Sequence, residues 1–270
     1  MPKSDILPAR PAGFSAGLAT QAATLRALML RGLQQRFGRN NIGYLWVIGE
    51  PMLLASVVTL LHSAVAGHGN SGISPFTFML TGYGIYCIFR NSFNRAEGLL
   101  HGSEALLYHR MITPFDIVTA NLMVETIGCV AAIAMLQVLG IMVGVSEWPA
   151  RPLYLIASIC LFTWFSFGMN LVIAAYAYRS PIISRLAHPF SYFLLPVSGA
   201  FITMSILPSW TRPLLAWNPM MTVFEMARYG QFHQAKDTYV YGGYAVAASV
   251  MLTYWGMVEI RRVRKYIHVP

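Results

Sequence analysis

The stretch Leu207–Phe232, "LPSWTRPLLAWNPMMTVFEMARYGQF", is largely apolar yet is cut by Pro208, Pro213 and Pro219. Asn218 suits a helix N-cap, Pro219 the first helical position and Gly230 the stop. The spacing therefore predicts a helix over Pro219–Tyr229, about 16 Å long at 1.5 Å per residue. The hydrocarbon core of a bilayer is about 30 Å thick. A segment this apolar and this short cannot cross, so with a partner near Trp210–Ala216 it reads as a re-entrant helical hairpin over residues 208–230. Such backbone is tolerated only where protein or a watery cavity surrounds it. Glu225 and Arg228, three apart, share a helix face and are expected to pair. A purely structural pair would tolerate exchange of its two members.

Outward from the hairpin, the chain is 56% hydrophobic and 11% charged over 270 residues, against about 25% charged in soluble domains. Too little charge is present to cover a water-facing surface, which points to an all-α integral membrane protein. Apolar segments of spanning length, roughly 20 residues, fall at about 44–66, 75–93, 115–145, 152–178, 188–207 and 239–260. These six transmembrane helices place both termini on one side. With the N-terminus cytoplasmic, fifteen Lys and Arg lie inside and only Arg151, Arg212, Arg228 and Lys236 outside, of 19 in all. This is the positive-inside bias. It accounts for most of the net charge of +9, so the charge is weak support for an anionic ligand and none for nucleic acid. Residues 1–17 read as a flexible arm rather than a signal peptide, and 18–39 as an amphipathic interface helix with Leu18, Ala22, Leu25, Met29 and Leu33 on one stripe. Residues 40–270 form the transmembrane domain.

Charges inside apolar runs mark functional candidates. Glu50, followed by Pro51, lies near the cytoplasmic end of the first span, with Arg36 and Arg39 before it and Arg90 as another partner. Glu125 interrupts the third span, either locking helices or serving as a proton site. Cys87, Cys129 and Cys160 read as buried small hydrophobes, and the histidines have no metal-ligand spacing. No phosphate-cradling G-x-x-x-x-G-K-[ST] occurs, so ATP, if used, binds another chain. Between spans two and three, "GSEALLYHRMITPFD" holds a short helix over 103–110, with Ser103 as cap and Glu104 in its first turn. It is either a coupling lever or a plain connector.

Three stretches carry a resemblance. "RFGRNNIGYLWVIGEP", "NRAEGLLHGSEALLYHRMITPFD" followed by "VET", and "WNPMMTVFEMARYG" resemble the inner-membrane permease of capsular polysaccharide ABC exporters. Permeases for O-antigen and teichoic acid share the fold and a weaker form of these motifs. The resemblance implies a homodimer, paired with two copies of a Walker-motif ATPase that holds ATP and Mg, this chain carrying no cofactor of its own. It implies a lipid-linked polysaccharide moved outward across the bacterial inner membrane, with a periplasmic co-export protein and an outer-membrane channel beyond. It maps the ATPase-coupling helix onto Ser103, Glu104, Leu107, Tyr108, His109 and Arg110. Arg36, Arg39, Glu50, Arg90, Arg95 and Glu125 fall along the gate and translocation path, and Trp217, Asn218, Glu225 and Arg228 on the re-entrant segment. The alternatives are an exporter of O-antigen, teichoic acid or small lipids and, in a different class, an ion-coupled secondary transporter. The latter favours inverted repeats, which the two halves do not display, and a membrane enzyme would need a catalytic cluster at one interface.

The six-span reading makes a topology prediction. Cysteines introduced near Gly69, Glu147 and Lys236 should react with an impermeant thiol reagent in sealed cells. Those near Glu104, Ser184 and Lys265 should not, and labelling at position 104 from outside would overturn the map.

Overall fold

The computed structural model describes residues 14–37, scattered positions within 49–61, and 74–107, 112–205 and 207–267. Arg39, Glu50, Pro51, Tyr108, His109, Arg110 and the side chain of Arg36 lie outside the described residues. Helices run in the order α1 (Phe14–Phe37), α2 (Pro75–Leu99), a 3-10 turn (His101–Ser103), α3 (Glu104–Leu107) and α4 (Pro114–Val143). They continue with α5 (Pro152–Arg179), α6 (Pro181–Ser198), α7 (Arg212–Ala216), α8 (Pro219–Gln231) and α9 (Gly242–Ile267). Among the described residues there is no strand.

Local chemistry sets these boundaries. Thr113 and Asp116 form a capping box, in which the Thr113 hydroxyl accepts the Asp116 N–H and the Asp116 carboxylate accepts the Thr113 N–H. Two orphan donors at the start of α4 are thereby satisfied. Pro75, Pro114, Pro152, Pro181 and Pro219 each open a helix, where the missing N–H costs nothing. α6 departs most from expectation. It ends at Ser198, not near residue 207, because Gly199 takes the left-handed conformation at φ +91. Apolar composition runs on through "AFIT", but the helix does not. α2, in turn, continues six residues past the expected 93, which puts Arg95, beyond the expected span, inside the helix.

α4 and α5 are long and apolar enough to cross a membrane by length and composition. Both expose large apolar side chains, among them Met142, Val143, Leu153 and Ile156. A continuous apolar surface of this kind suits lipid. The core lies where α2, α5 and α8 meet, around Tyr86, Phe89, Phe93, Phe162 and Phe224, all but enclosed. Phe89 and Phe93 stand 4.9 Å apart and Phe162 and Phe224 5.0 Å apart, in tilted pairs. α1 lies along α4. Leu28 packs on the core, and Leu18 and Leu30 are exposed.

The most extensive helix pair is α5 with α9, which approach at Gly168 and Gly256. A Cβ on Gly256 would fall 2.5 Å from Leu171 Cβ, and one on Gly168 2.8 Å from Leu252 Cβ. Overpacking such a contact costs about 1–3 kcal/mol. Gly256→Leu should therefore lower the melting temperature in detergent. Gly243→Ala, where an added Cβ meets nothing within 4 Å, should leave it unchanged.

Candidate functional site

α8 has 13 residues, about 20 Å, still too short for the roughly 30 Å hydrocarbon core. Asn218 caps it by accepting the Met220 N–H at 3.0 Å and donates its own amide to the Val197 carbonyl at 2.9 Å. The helix thus starts tied to the end of α6. Farther along, Arg228 donates to the carbonyls of Gly199 (2.6 Å), Ala200 (3.0 Å) and Ile202 (2.9 Å). Glu225 accepts the N–H of Met204 at 2.7 Å. The two side chains are 3.6 Å apart, and the guanidinium sits 4.3 Å from the ring centre of Phe78. The expected pair exists, but its main work is on the backbone of 199–204. Arg228 is 3% exposed, which places it in the interior and not before a passing polymer. Gly82 of "GYGIY" lets this loop settle on α2, since a Cβ there would stand 1.9 Å from the Ala200 oxygen.

Two further arginines at this end do the same kind of work, and neither stands out in sequence. Arg151 donates to the Tyr229 carbonyl at 2.9 Å and lies 4.1 Å over the Tyr229 ring, closing the C-terminus of α8. Arg212 donates from Nε to the Leu207 carbonyl at 2.9 Å. Each stands directly before a helix-opening proline, Pro152 or Pro213, and that adjacency is the signal available in the sequence. Trp217 is 80% exposed while its carbonyl accepts the Tyr244 hydroxyl at 2.6 Å.

Midway along α2, Arg90 donates to the hydroxyls of Tyr83 and Tyr192, both at 2.7 Å. Tyr83 stacks on Phe201 at 6.0 Å, and Tyr86 donates to the carbonyl of Ser191. An arginine with a tyrosine face is thus held between α2 and α6, and Tyr192 is 54% exposed.

At the opposite end from the hairpin, Arg95 meets the buried carboxylate of Glu125 at 2.8 Å and joins α2 to α4. In the segment between these helices, Glu104 is exposed and pairs with His101 at 3.0 Å. His101 stacks on Tyr178 of α5 at 4.5 Å. Ser103 and Leu107 are buried, so the outward face of this segment is His101, Glu104 and Ala105 rather than Leu107. Sequence reading passes over Glu259, whose buried carboxylate takes Arg179 and Arg262, each at 2.7 Å. Its signal is a lone acid ahead of Arg261, Arg262 and Arg264.

The family model for the ABC-2 type transporter matches residues 23–232. The capsule polysaccharide export inner-membrane protein BexB of Haemophilus influenzae is 30% identical over 254 residues, covering 94% of this chain and 96% of that protein. The capsule polysaccharide export inner-membrane protein CtrC of Neisseria meningitidis serogroup B is 30% identical over 252 residues, 93% of this chain and 95% of that protein. The polysialic acid transport protein KpsM of Escherichia coli is 26% identical over 212 residues, 78% and 82% of the two chains.

The hairpin geometry yields a test by exchange. Arg228→Gln strands buried carbonyls and leaves Glu225 without its cation, a loss of roughly 3–5 kcal/mol. The double exchange Glu225→Arg with Arg228→Glu should not restore stability, because carbonyls wait where the arginine was and an N–H where the carboxylate was. Recovery of the melting temperature in the exchanged protein would show that the pair, not the backbone, is what matters.

Proposed function

The chain belongs to the ABC-2 type transporter family, and on that premise we propose that it is the membrane subunit of an ATP-driven capsular polysaccharide exporter. In this reading it moves a lipid-linked polymer outward across the inner membrane, spanning it six times with both termini cytoplasmic. The observation that carries the reading is the end-to-end likeness to capsule export permeases, which extends through the hairpin and the α2–α4 connection. Two copies would enclose the path and two copies of a separate ATPase would drive it. ATP and Mg would be held by that ATPase. A periplasmic co-export protein and an outer-membrane channel would complete the route. The exposed apolar side chains of α6, among them Ile182, Leu186 and Phe193, suit a helix that meets a second copy or lipid.

The geometry supports a coupling route. A push on Glu104 and Ala105 reaches α5 through the His101–Tyr178 stack. It reaches α6 through Glu97, which accepts from Ser184 at 3.4 Å and meets His188 at 3.4 Å. The Arg90–Tyr83–Tyr192 group then lies on α2 and α6, between the pushed end and the hairpin, and its exposed member, Tyr192, offers a hydroxyl and an aromatic face to a sugar chain. Glu125 sits in an ion pair with Arg95, which favours a helix lock over the proton site that an ion-coupled transporter would need. Export of O-antigen or teichoic acid uses the same membrane architecture, and the exported polymer distinguishes it.

The test is a deletion strain complemented with wild type or with Glu104→Lys plus Ala105→Asp. Surface capsule should be lost on deletion, with polymer retained inside, and restored by the wild-type chain. The double variant should assemble but uncouple ATP hydrolysis from export or fail to retain the ATPase. Its two substituted positions are exposed, where cost to stability is usually within about 0.5 kcal/mol. Normal capsule in the deletion strain would overturn the function, and normal export by the double variant would overturn the coupling route.

A further inference from the structure

Between α1, the last turn of α2, the His101–Ser103 turn and α4 lies a cavity of about 360 Å³. Two arginines line it from two helices, Arg31 of α1 and Arg95 of α2, and Ser103 and Asn121 are the other polar side chains among its described lining. Among the described residues that line it there is no acidic side chain. The carboxylate of Glu125, bound to Arg95, offsets one of the two positive charges and leaves the other. The remaining walls are apolar, formed by residues such as Leu28, Leu99, Ile117 and Val124.

Three glycines, Gly32, Gly98 and Gly102, also line the cavity. None has a left-handed backbone, and a Cβ on any of them would meet nothing within 4 Å. Glycine weakens a helix relative to alanine, and at Gly32 and Gly98, both inside helices, neither a turn nor a close helix contact asks for it. What the three share is a wall of this cavity, which any larger side chain would narrow. Guanidiniums bind phosphate oxygens with directed, charge-assisted hydrogen bonds. A free phosphate would use the arginines, hydroxyl and amide but leave the apolar walls against water. A phosphodiester carrying glycerol and the first methylenes of an acyl chain would use both.

We propose that this cavity holds the phosphate of an anionic phospholipid headgroup, and that the bound lipid ties the surface helix α1 to the segment joining α2 and α4. The site concerns a resident lipid, not the exported polymer, and holds whatever that polymer is. Polar contacts to the phosphate come from Arg31, Arg95, Ser103 and Asn121, while Leu28 and Leu99 flank the glycerol. Because α1 and the His101–Glu104 segment share this ligand, the lipid fixes the distance between them.

The test uses the full chain in nanodiscs of phosphatidylcholine, alone, with phosphatidylglycerol, or with added inorganic phosphate. Native mass spectrometry counts retained phosphatidylglycerol, and thermal unfolding reports stabilisation. Wild type should retain phosphatidylglycerol and unfold at a higher temperature with it. Arg31→Gln should retain it about fivefold less, the effect of one basic residue at an anionic surface. Gly98→Leu keeps both arginines but fills the space, and should lose the lipid. Arg185→Gln, an exposed arginine elsewhere, should behave as wild type. Arg31 is only half-buried, so its variant keeps the test independent of whether Gly98→Leu folds. Equal retention in wild type and Arg31→Gln overturns the proposal. So does a stabilisation by inorganic phosphate equal to that by phosphatidylglycerol, which assigns the site to a soluble anion.

Discussion

A single guanidinium holds the hairpin in place. Arg228, buried on α8, occupies three carbonyls of the Gly199–Ile202 segment, and backbone oxygens left bare in an apolar interior are costly. The same contact fastens the segment that follows the left-handed turn at Gly199, where α6 ends, onto α8. Burying an arginine is itself unfavourable, and here the cost is offset by three carbonyl bonds, the carboxylate of Glu225 and the face of Phe78. Without it, the segment from Gly199 to Ser205 has backbone groups and no helix or strand of its own to satisfy them.

The arginines divide by what they bind. At the hairpin end Arg151, Arg212 and Arg228 take main-chain carbonyls. At the other end Arg95, Arg179 and Arg262 take the buried carboxylates of Glu125 and Glu259. Charge that looks on composition like a surface for an acidic polymer is spent on architecture. An account of substrate recognition therefore has to look to exposed hydroxyls and aromatic faces, such as that of Tyr192, rather than to net charge.

Much of this arrangement is legible in the sequence where one residue carries one signal. Proline at a helix start, Asn218 as a cap and the Thr113–Asp116 spacing each act within a single turn, and they locate α4, α5 and α8. The end of α6 is less legible, because "AFITMSIL" is apolar enough to continue a helix, and only the fold shows Gly199 turning left-handed with its carbonyl held by a side chain 29 residues on. The Glu225–Arg228 spacing announces a pair, whereas its use as a backbone clamp depends on which loop the fold brings to it. The burial of Leu107 is hidden for a similar reason: a four-residue helix shows no period from which to read its inner face. Glu259 is obscured by the arginines beside it, which read as a charged tail until α9 is seen against α5.

These constraints separate parts that move together from one that is held differently. α5 and α9 are locked by backbone approach at Gly168 and Gly256 and by the Arg179–Glu259 bridge, while α2 and α4 are joined by Arg95 and Glu125. α6 carries Pro189 and Pro196 inside its length, each removing a helical hydrogen bond. It is attached to α2 through polar tethers at Tyr86, Arg90 and Glu97 and through the Phe93–Phe190 ring contact. Polar tethers exchange partners at smaller cost than interdigitated cores deform. In an exporter of the proposed kind, force entering beside Glu104 thus meets two rigid pairs and one helix interrupted by prolines. That helix is the element whose position changes at least cost to the rest. Its far end is pinned to the hairpin by Asn218 and Arg228, so a shift of α6 at one end becomes a tilt about that clamp and not a translation of the whole helix.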